Sequence, residues 1–544
     1  MSEYQKFLEN PPATLPGFGR ENDMVQNNAG GFTFKVSTED RLLRFLILGA
    51  EAGTYYADGK EHFRQAYTGT WEAIRDMGVK AVELIVNVSV SGRAPKQDAT
   101  IFALALAAAK GDPAVRAAAL ASIQRVCRTP THLFSFLSDY KSLGGKTGGR
   151  AMKRALQSWY TSKSPENLAY AIVKYRQRGG WAHRDVLRLA KPQGFTTGEN
   201  TPQGKLGDVL AFAAGKPVKG SGEHLNLIRA FQELVSPDAS PEGAVRAIHA
   251  YGLPREAIPD TFLKEKKVWD ALLFPSEGNK GGMPLTALIR NLNRMTISGT
   301  ATTHAGISYI VERLSSREEI KKARVHPIQF LSAARTYAKG RGEKGSLTWS
   351  PVRKIVEALE NGFLLAFDAV PKTNLRYYVG LDISGSMGCG EIAGVPGLTP
   401  REASAAMTLL WSTTEASCLV KGFSHTLQDL GRAFKKGSTL SESIAAISGL
   451  PFGATAPSLI IDDALKKKIL VDVFVMITDN EVNSGTHIYA KLQEYRRVMK
   501  IPAKLVVIGM TATEFTLADP SDPGMLDVVG FDAAAPTVIA QFAA

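Results

Sequence analysis

Tyr377-Tyr-Val-Gly-Leu-Asp382-Ile-Ser384-Gly-Ser386 decides how the last third of this 544-residue chain is read. An apolar β-branched run ends in one carboxylate and two hydroxyls at alternate positions. That is a strand delivering hard oxygen donors to one point, the donor chemistry of Mg²⁺ or a similarly hard divalent cation. Around it, Arg376–Ile383, Cys418–Phe423, Val471–Thr478 and Ala503–Met510 read as buried strands. Arg401–Ser417, Ser438–Ile447 and His487–Met499 read as the helices between them. Alternating β and α implies a parallel sheet covered on both faces, with its site at the carboxyl ends of the strands.

Thr455, in Gly453-Ala454-Thr455, and Asp479, closing Val473-Phe-Val-Met-Ile-Thr-Asp479, bring further donors to those ends. Enzyme readings fail here. A nucleophile elbow needs glycine two residues before the serine, and Ser384 and Ser386 have Asp382 and Ser384 there. An aspartyl-phosphate phosphatase would want a second carboxylate at Ser384. No histidine stands within a few residues to act as base.

The preceding residues are of another kind. From about 35 to 365 the pattern is helix after helix, as in Arg41–Gly49, Thr100–Lys110 and Ala114–Cys127, with no convincing strand. Asp112-Pro113, Ser164-Pro165 and Ser240-Pro241 are helix starts: a capping side chain followed by a proline whose missing N–H would be unpaired anyway. Asp112-Pro-Ala-Val-Arg116 has the look of a HEAT repeat, and the irregular spacing of the starts implies a degenerate array. Leu143–Gly149 fails as a phosphate loop because Tyr140 stands where its first glycine belongs, so it reads as a basic loop. Lys339–Lys344 reads as a basic turn.

Charge divides the same way. Residues 371–544 carry 15 Lys and Arg against 17 Asp and Glu, so residues 1–370 hold the whole excess behind the overall +13. A one-sided excess suits a polyanion, because neutralising phosphates releases counterions. No apolar run approaches a membrane span, and the N-terminus lacks a signal layout. Cys127, Cys389 and Cys418 form no metal pattern. A cytoplasmic protein without a membrane partner is the expectation.

In Lys174-Tyr-Arg-Gln-Arg-Gly-Gly-Trp-Ala-His-Arg-Asp185, the cations Lys174, Arg176, Arg178 and Arg184 surround a Gly-Gly turn beside Tyr175 and Trp181. They can meet phosphates, while Trp181 is better read as core. In Met283–Thr296 the apolar positions trace a core face and leave Arg290, Asn291 and Arg294 elsewhere on the helix. His183 and His326 have no partner at ligand spacing and read as capping or hydrogen-bonding residues.

Asp382, Ser384, Ser386, Thr455 and Asp479, in this order, resemble the metal-ion-dependent adhesion site (MIDAS) of von Willebrand factor A domains. The residue after the threonine is Ala456, where relatives often carry aspartate. Arg41–Tyr56, Lys174–Leu189, Met283–Thr296 and Arg324–Gly345, followed by such a domain, resemble the Ro60 (TROVE-domain) family on its bacterial, Rsr-like branch. The resemblance implies an α plus α/β protein: residues 1–370 a toroid of HEAT-like helical repeats, closed by residues 371–544 as a Rossmann-like von Willebrand factor A domain. It also implies a non-enzymatic ribonucleoprotein scaffold. Y-like small noncoding RNA would sit on the outer surface, and the single-stranded 3′ ends of misfolded or 3′-extended RNAs would enter the central hole. Partners would include an exoribonuclease such as polynucleotide phosphorylase, in RNA quality control. Lys174 and Arg178 fall where the family contacts Y RNA, and Lys191 replaces a family histidine, keeping positive charge. Arg290, Asn291 and Arg294 would line the hole. The rival reading is a cation-dependent protein-interaction scaffold acting through the A domain. A ribonuclease is disfavoured, because the helical part shows no carboxylate cluster or histidine pair.

Overall fold

The computed structural model describes residues 10–17, 19–49, 59–342, 346–367, 372–392, 395–450 and 453–544. The 370/371 division, residues 50–56 of the Arg41–Tyr56 motif, Gly345, and positions 343–344 of the basic turn lie outside them.

Helices succeed one another from Thr38–Leu48 to Arg353–Leu365, and the starts are capped as their sequences require. Asp112 accepts from the Val115 N–H at 2.9 Å, Ser164 from Asn167 at 3.2 Å and Ser240 from Gly243 at 3.1 Å, each with proline at the first turn. Ala114–Cys127 is two helices, Pro113–Ala121 and Ile123–Val126. At the break the Ser122 hydroxyl donates to the Ala118 carbonyl at 2.8 Å, a back-bond that competes with helix continuation. The helix Asp98–Lys110 is small and apolar almost throughout, so it is buried from Ile101 to Ala108 save Phe102 and serves as an axle for its neighbours.

Strands β1 (Met24–Gln26) and β2 (Phe32–Lys35) precede the array. A short hairpin, β3 (Gln177–Arg178) with β4 (Trp181–Ala182), interrupts it. The expectation of no strand within the array is corrected here. Gly179 and Gly180 have φ of 56° and 79°, as a two-residue hairpin turn demands, and a Gly-Gly pair inside a helical pattern hid the ribbon.

The C-terminal domain is a six-stranded sheet, built from β5 (Arg376–Asp382), β6 (Ser417–Phe423), β7 (Leu427–Asp429), β8 (Val473–Thr478), β9 (Lys504–Gly509) and β11 (Met525–Val529). The order is β11-β9-β8-β5-β6-β7, parallel except for β7. The chain leaves β5 toward β6 and later returns to β8 on its other side. The switch point therefore lies at the carboxyl ends of β5 and β8, where a doubly wound sheet opens its crevice.

The two parts interlock. β2 pairs with β10 (Phe515–Thr516), so the N-terminal segment packs on the C-terminal domain across the 370/371 division. Arg44, fully buried, donates two bonds to the Asp527 carboxylate at 2.6 and 2.7 Å and one each to the carbonyls of Thr513 and Phe515. Arg93, after the helix Val79–Ser91, pairs with Asp532. His326 caps the helix Pro327–Ala338 through Nδ1, and its Nε2 reaches the carbonyls of Phe531 at 2.8 Å and Arg93 at 3.1 Å. Early helices, late helices and the C-terminal domain thus meet at one side chain, which closes the ring. Burial holds the His326 pKa down to about 4, so it stays a neutral linker, the hydrogen-bonding role its sequence context implied.

Candidate functional site

Asp382 ends β5 and Thr478 ends the adjacent β8, with Asp479 next in the chain, and they lie side by side because Leu381 is in register with Ile477. One Asp382 oxygen accepts the Ser384 N–H at 2.9 Å, and the other accepts the Thr478 hydroxyl at 2.7 Å. The Ser384 and Ser386 hydroxyls lie 2.9 Å apart, and Ser386 also bonds Asp479. Thr455 joins from its loop: its N–H donates to Asn483 Oδ1 at 2.8 Å and its carbonyl receives the Ser484 N–H. The structure thus brings Asp382, Ser384, Ser386 and Asp479 together, and all five sequence-designated donors, Thr455 in its own loop included, are buried.

Its electrostatics are unfavourable without a countercharge. Burial pushes Asp382 above the ordinary carboxylate range, although hydrogen bonds and nearby Arg401 oppose it. Asp479 is raised further, first by burial, then by Asp382 and Glu481. The Thr455 hydroxyl is buried without a hydrogen-bond partner. Two sealed carboxylates and an orphaned hydroxyl fit a hard cation with oxygen ligands. Among the described residues no three of His, Cys, Asp and Glu group as a metal site, so a cation here would need hydroxyl donors beside the two carboxylates. Ala456 is buried and contributes no donor.

The basic cluster is on the surface of the array. Arg176, Arg178, Arg184 and Lys191 are exposed, the first two on and beside the β3–β4 hairpin. Lys174 is half-buried, with Nζ 5.5 and 5.3 Å from the ring centres of Tyr170 and Tyr175. Burial works against its charge, but these rings and Glu256 hold its pKa above the usual value, so it stays cationic. Arg176 lies over Phe231 at 5.2 Å. Trp181 packs against the core. His183 is buried between the Tyr160 hydroxyl and the Tyr175 carbonyl, both at 2.9 Å, and burial lowers it to about 4. It braces the hairpin with both ring nitrogens engaged.

Arg184 and Lys191 also border a cavity of about 590 Å³, whose rim adds Arg188 and Lys216 and whose wall includes Leu187, Phe195 and Leu210. Arg188 follows Arg184 by one helical turn, a spacing visible in the sequence. Lys216 comes from a separate loop and gives no local signal.

A second cavity, of about 340 Å³, lies where the two parts of the ring face each other. Arg290 lines it with Asn293, Lys96, Gln329, Ser332 and Thr336, and Val395 and Pro396 of the C-terminal domain close one side. Asn291 is not in this lining: its amide donates to the Ala287 carbonyl of its own helix at 2.8 Å. Arg294 turns toward Asp260, 3.9 Å away. Of the three positions read from Met283–Thr296, only Arg290 reaches the cavity. Lys96 and Gln329 arrive from remote segments that no local pattern joins.

A helical ring closed by a doubly wound A-type domain, with oxygen donors at its switch point, defines the class. The description of a TROVE domain matches residues 25–220 and 252–336, and that of a Ro60 vWA domain matches residues 376–543. The chain belongs to the Ro60 family. It is 38% identical over 525 residues to the "RNA-binding protein RO60" of Deinococcus radiodurans, covering 95% of each. It is 35% identical to the protein of that name from Caenorhabditis elegans, covering 96% of this chain and 90% of the relative. The crystal structure of the Deinococcus radiodurans RO (RSR) protein superposes with a TM-score of 0.67 at 37% identity, over 93% of this chain and 99% of that one. Among the described residues no helix is long and apolar enough to cross a membrane.

Proposed function

We propose that this protein is a non-enzymatic RNA-binding scaffold. It holds the duplex stem of a Y-like small noncoding RNA on the outer basic face and a single-stranded RNA 3′ end in the cavity of the ring. The observation that carries this reading is the set of exposed cations between Arg176 and Lys191, where guanidinium and ammonium groups stand out from a braced hairpin and helix. Such groups position phosphates without reading sequence. In the cavity, Arg290, Asn293 and Gln329 offer charge and amides to a strand whose bases are unstacked. The function of the relatives, both named RNA-binding proteins, supports the same reading. Delivery of the captured RNA to an exoribonuclease, in a cytoplasmic quality-control role, completes the proposal.

Asp382, Ser384, Ser386, Thr455 and Asp479 would hold a divalent cation, Mg²⁺ by donor type. When bound, the ion offers Lewis acidity to an oxygen ligand from a partner. The orphaned Thr455 hydroxyl favours a cation-dependent docking role for this domain beside the RNA role of the array. Hairpin-RNA binding measured against salt tests the first reading. Pulldown with and without EDTA, after nuclease treatment, tests the second, and a partner set unchanged by EDTA would refute it.

A further inference from the structure

The cation site and the 340 Å³ cavity are joined by one continuous set of contacts. Arg401, buried on the helix Pro400–Thr414, donates to the carbonyls of Ile383 at 2.8 Å and Ser384 at 2.7 Å, in the turn that bears the ligands. The next residue, Glu402, accepts the N–H and the hydroxyl of Thr399 and pairs with Arg335 at 3.0 Å. Arg335 belongs to the helix Pro327–Ala338, whose Gln329, Ser332 and Thr336 line the cavity. By a second route, the chain runs from Ser386 to Val395 and Pro396 in the cavity wall. Ile392, Val395 and Leu398 bond one another there through their backbones.

We propose that occupancy of the cation site and capture of a single RNA strand in the cavity are thermodynamically coupled through the Arg401–Glu402–Arg335 link. This rests on the reading of the cavity as a strand site. Asp382 and Asp479 are buried together, each disfavoured as a carboxylate by burial and Asp479 further by Asp382, and a bound cation would compensate both charges and draw their loops together. The coupling requires the ligand-bearing turn to sit differently with and without the cation. Arg401 ties that turn to its helix, and Glu402 with Arg335 ties the helix to one cavity wall. A strand that fits one arrangement better then biases the cation site, and the cation biases the strand site by the same factor. Neither Arg335 nor Glu402 is among the donors or the cavity lining, so the link can be cut with both sites intact.

The experiment measures a short fluorescent oligouridylate binding to the full chain in saturating Mg²⁺ and in EDTA at matched ionic strength. It also measures Mn²⁺ affinity by electron paramagnetic resonance with and without the oligonucleotide. Both affinities are expected to tighten by one common factor of about fivefold or more. In Glu402→Gln and Arg335→Gln the factor should fall below about twofold while each ligand still binds alone. Asp382→Asn, which disables the cation site, should show no response of oligouridylate binding to Mg²⁺. Unequal factors, an undiminished effect in both link variants, or the same Mg²⁺ response in Asp382→Asn would overturn the coupling. Strand binding that ignores Mg²⁺ would refute the coupling alone. Failure of oligouridylate to bind under every condition would refute the cavity reading and the coupling with it.

Discussion

Between Arg176 and Lys191, exposed cations face water on a surface braced from below by His183. At the ends of β5 and β8, Asp382 and Asp479 are sealed from water, and Asp382 helps to raise the pKa of Asp479. On the proposed reading, the first region makes many weak, screened, replaceable contacts with a long polyanion. The second, on the same reading, holds one compact charge by a few fixed oxygens. The contrast teaches that each part of the ring has its own ligand chemistry, and that the ion pairs between the parts are structural.

The largest effect should come from that join. Arg44→Met leaves the Asp527 carboxylate without its partner and should destabilise the protein by about 3–5 kcal/mol, read by urea unfolding. A loss under about 1 kcal/mol would mean the join does little for the fold. Next, Lys174→Ala with Arg178→Ala should weaken a Y-like hairpin by roughly 100-fold or more at low salt, since each charge-assisted contact is worth about 1.5–3 kcal/mol. An equal loss for oligouridylate would merge the two RNA sites and erase the comparison within the array. Arg290→Ala and Asn293→Ala should each weaken oligouridylate by about 3- to 10-fold, within the value of ordinary polar contacts, while Asn291→Ala and Arg294→Ala leave it unchanged.

The cation site predicts a pH effect of definite sign. Folded-state pKa values of Asp382 and Asp479 lie above their unfolded values, so the cation-free fold binds extra protons. Their favourable contribution is present below the unfolded carboxylate pKa and is lost as pH rises through the folded values. In EDTA, stability should therefore decline across that rise. Mg²⁺ should raise Tm more at the higher pH, the stabilisation reaching about 2.7 kcal/mol at a hundredfold excess over Kd. A Tm gain from Mg²⁺ that shrinks with rising pH would contradict the assignment of these two carboxylates.

The sequence was most legible where chemistry and local geometry coincide. Asp382, Ser384 and Ser386 follow one strand, and parallel βα alternation places Asp479 beside them, so their meeting at one buried point could be read directly. The capped helix starts were legible for the same reason: each signal spans four residues. The β3–β4 hairpin was hidden because two residues per strand carry no alternation, and only the Gly-Gly pair hinted at it. Asn291 and Arg294 illustrate the limit at the cavity. Helical spacing says which residues leave the core, and only tertiary packing says which of those meet Gln329 or Pro396 across the ring. Arg44 shows the same limit, since nothing near it in sequence announces Asp527.

A salt titration of hairpin-RNA binding tests the central claim most directly, comparing the natural protein with the Lys174→Ala, Arg178→Ala double variant. If these cations neutralise phosphates, log affinity falls steeply with log salt, and the double variant reduces the slope by about 1.8, roughly 0.9 per lost contact. An affinity nearly indifferent to salt, or a slope unchanged by the double substitution, would contradict the assignment of RNA binding to the basic face of the array.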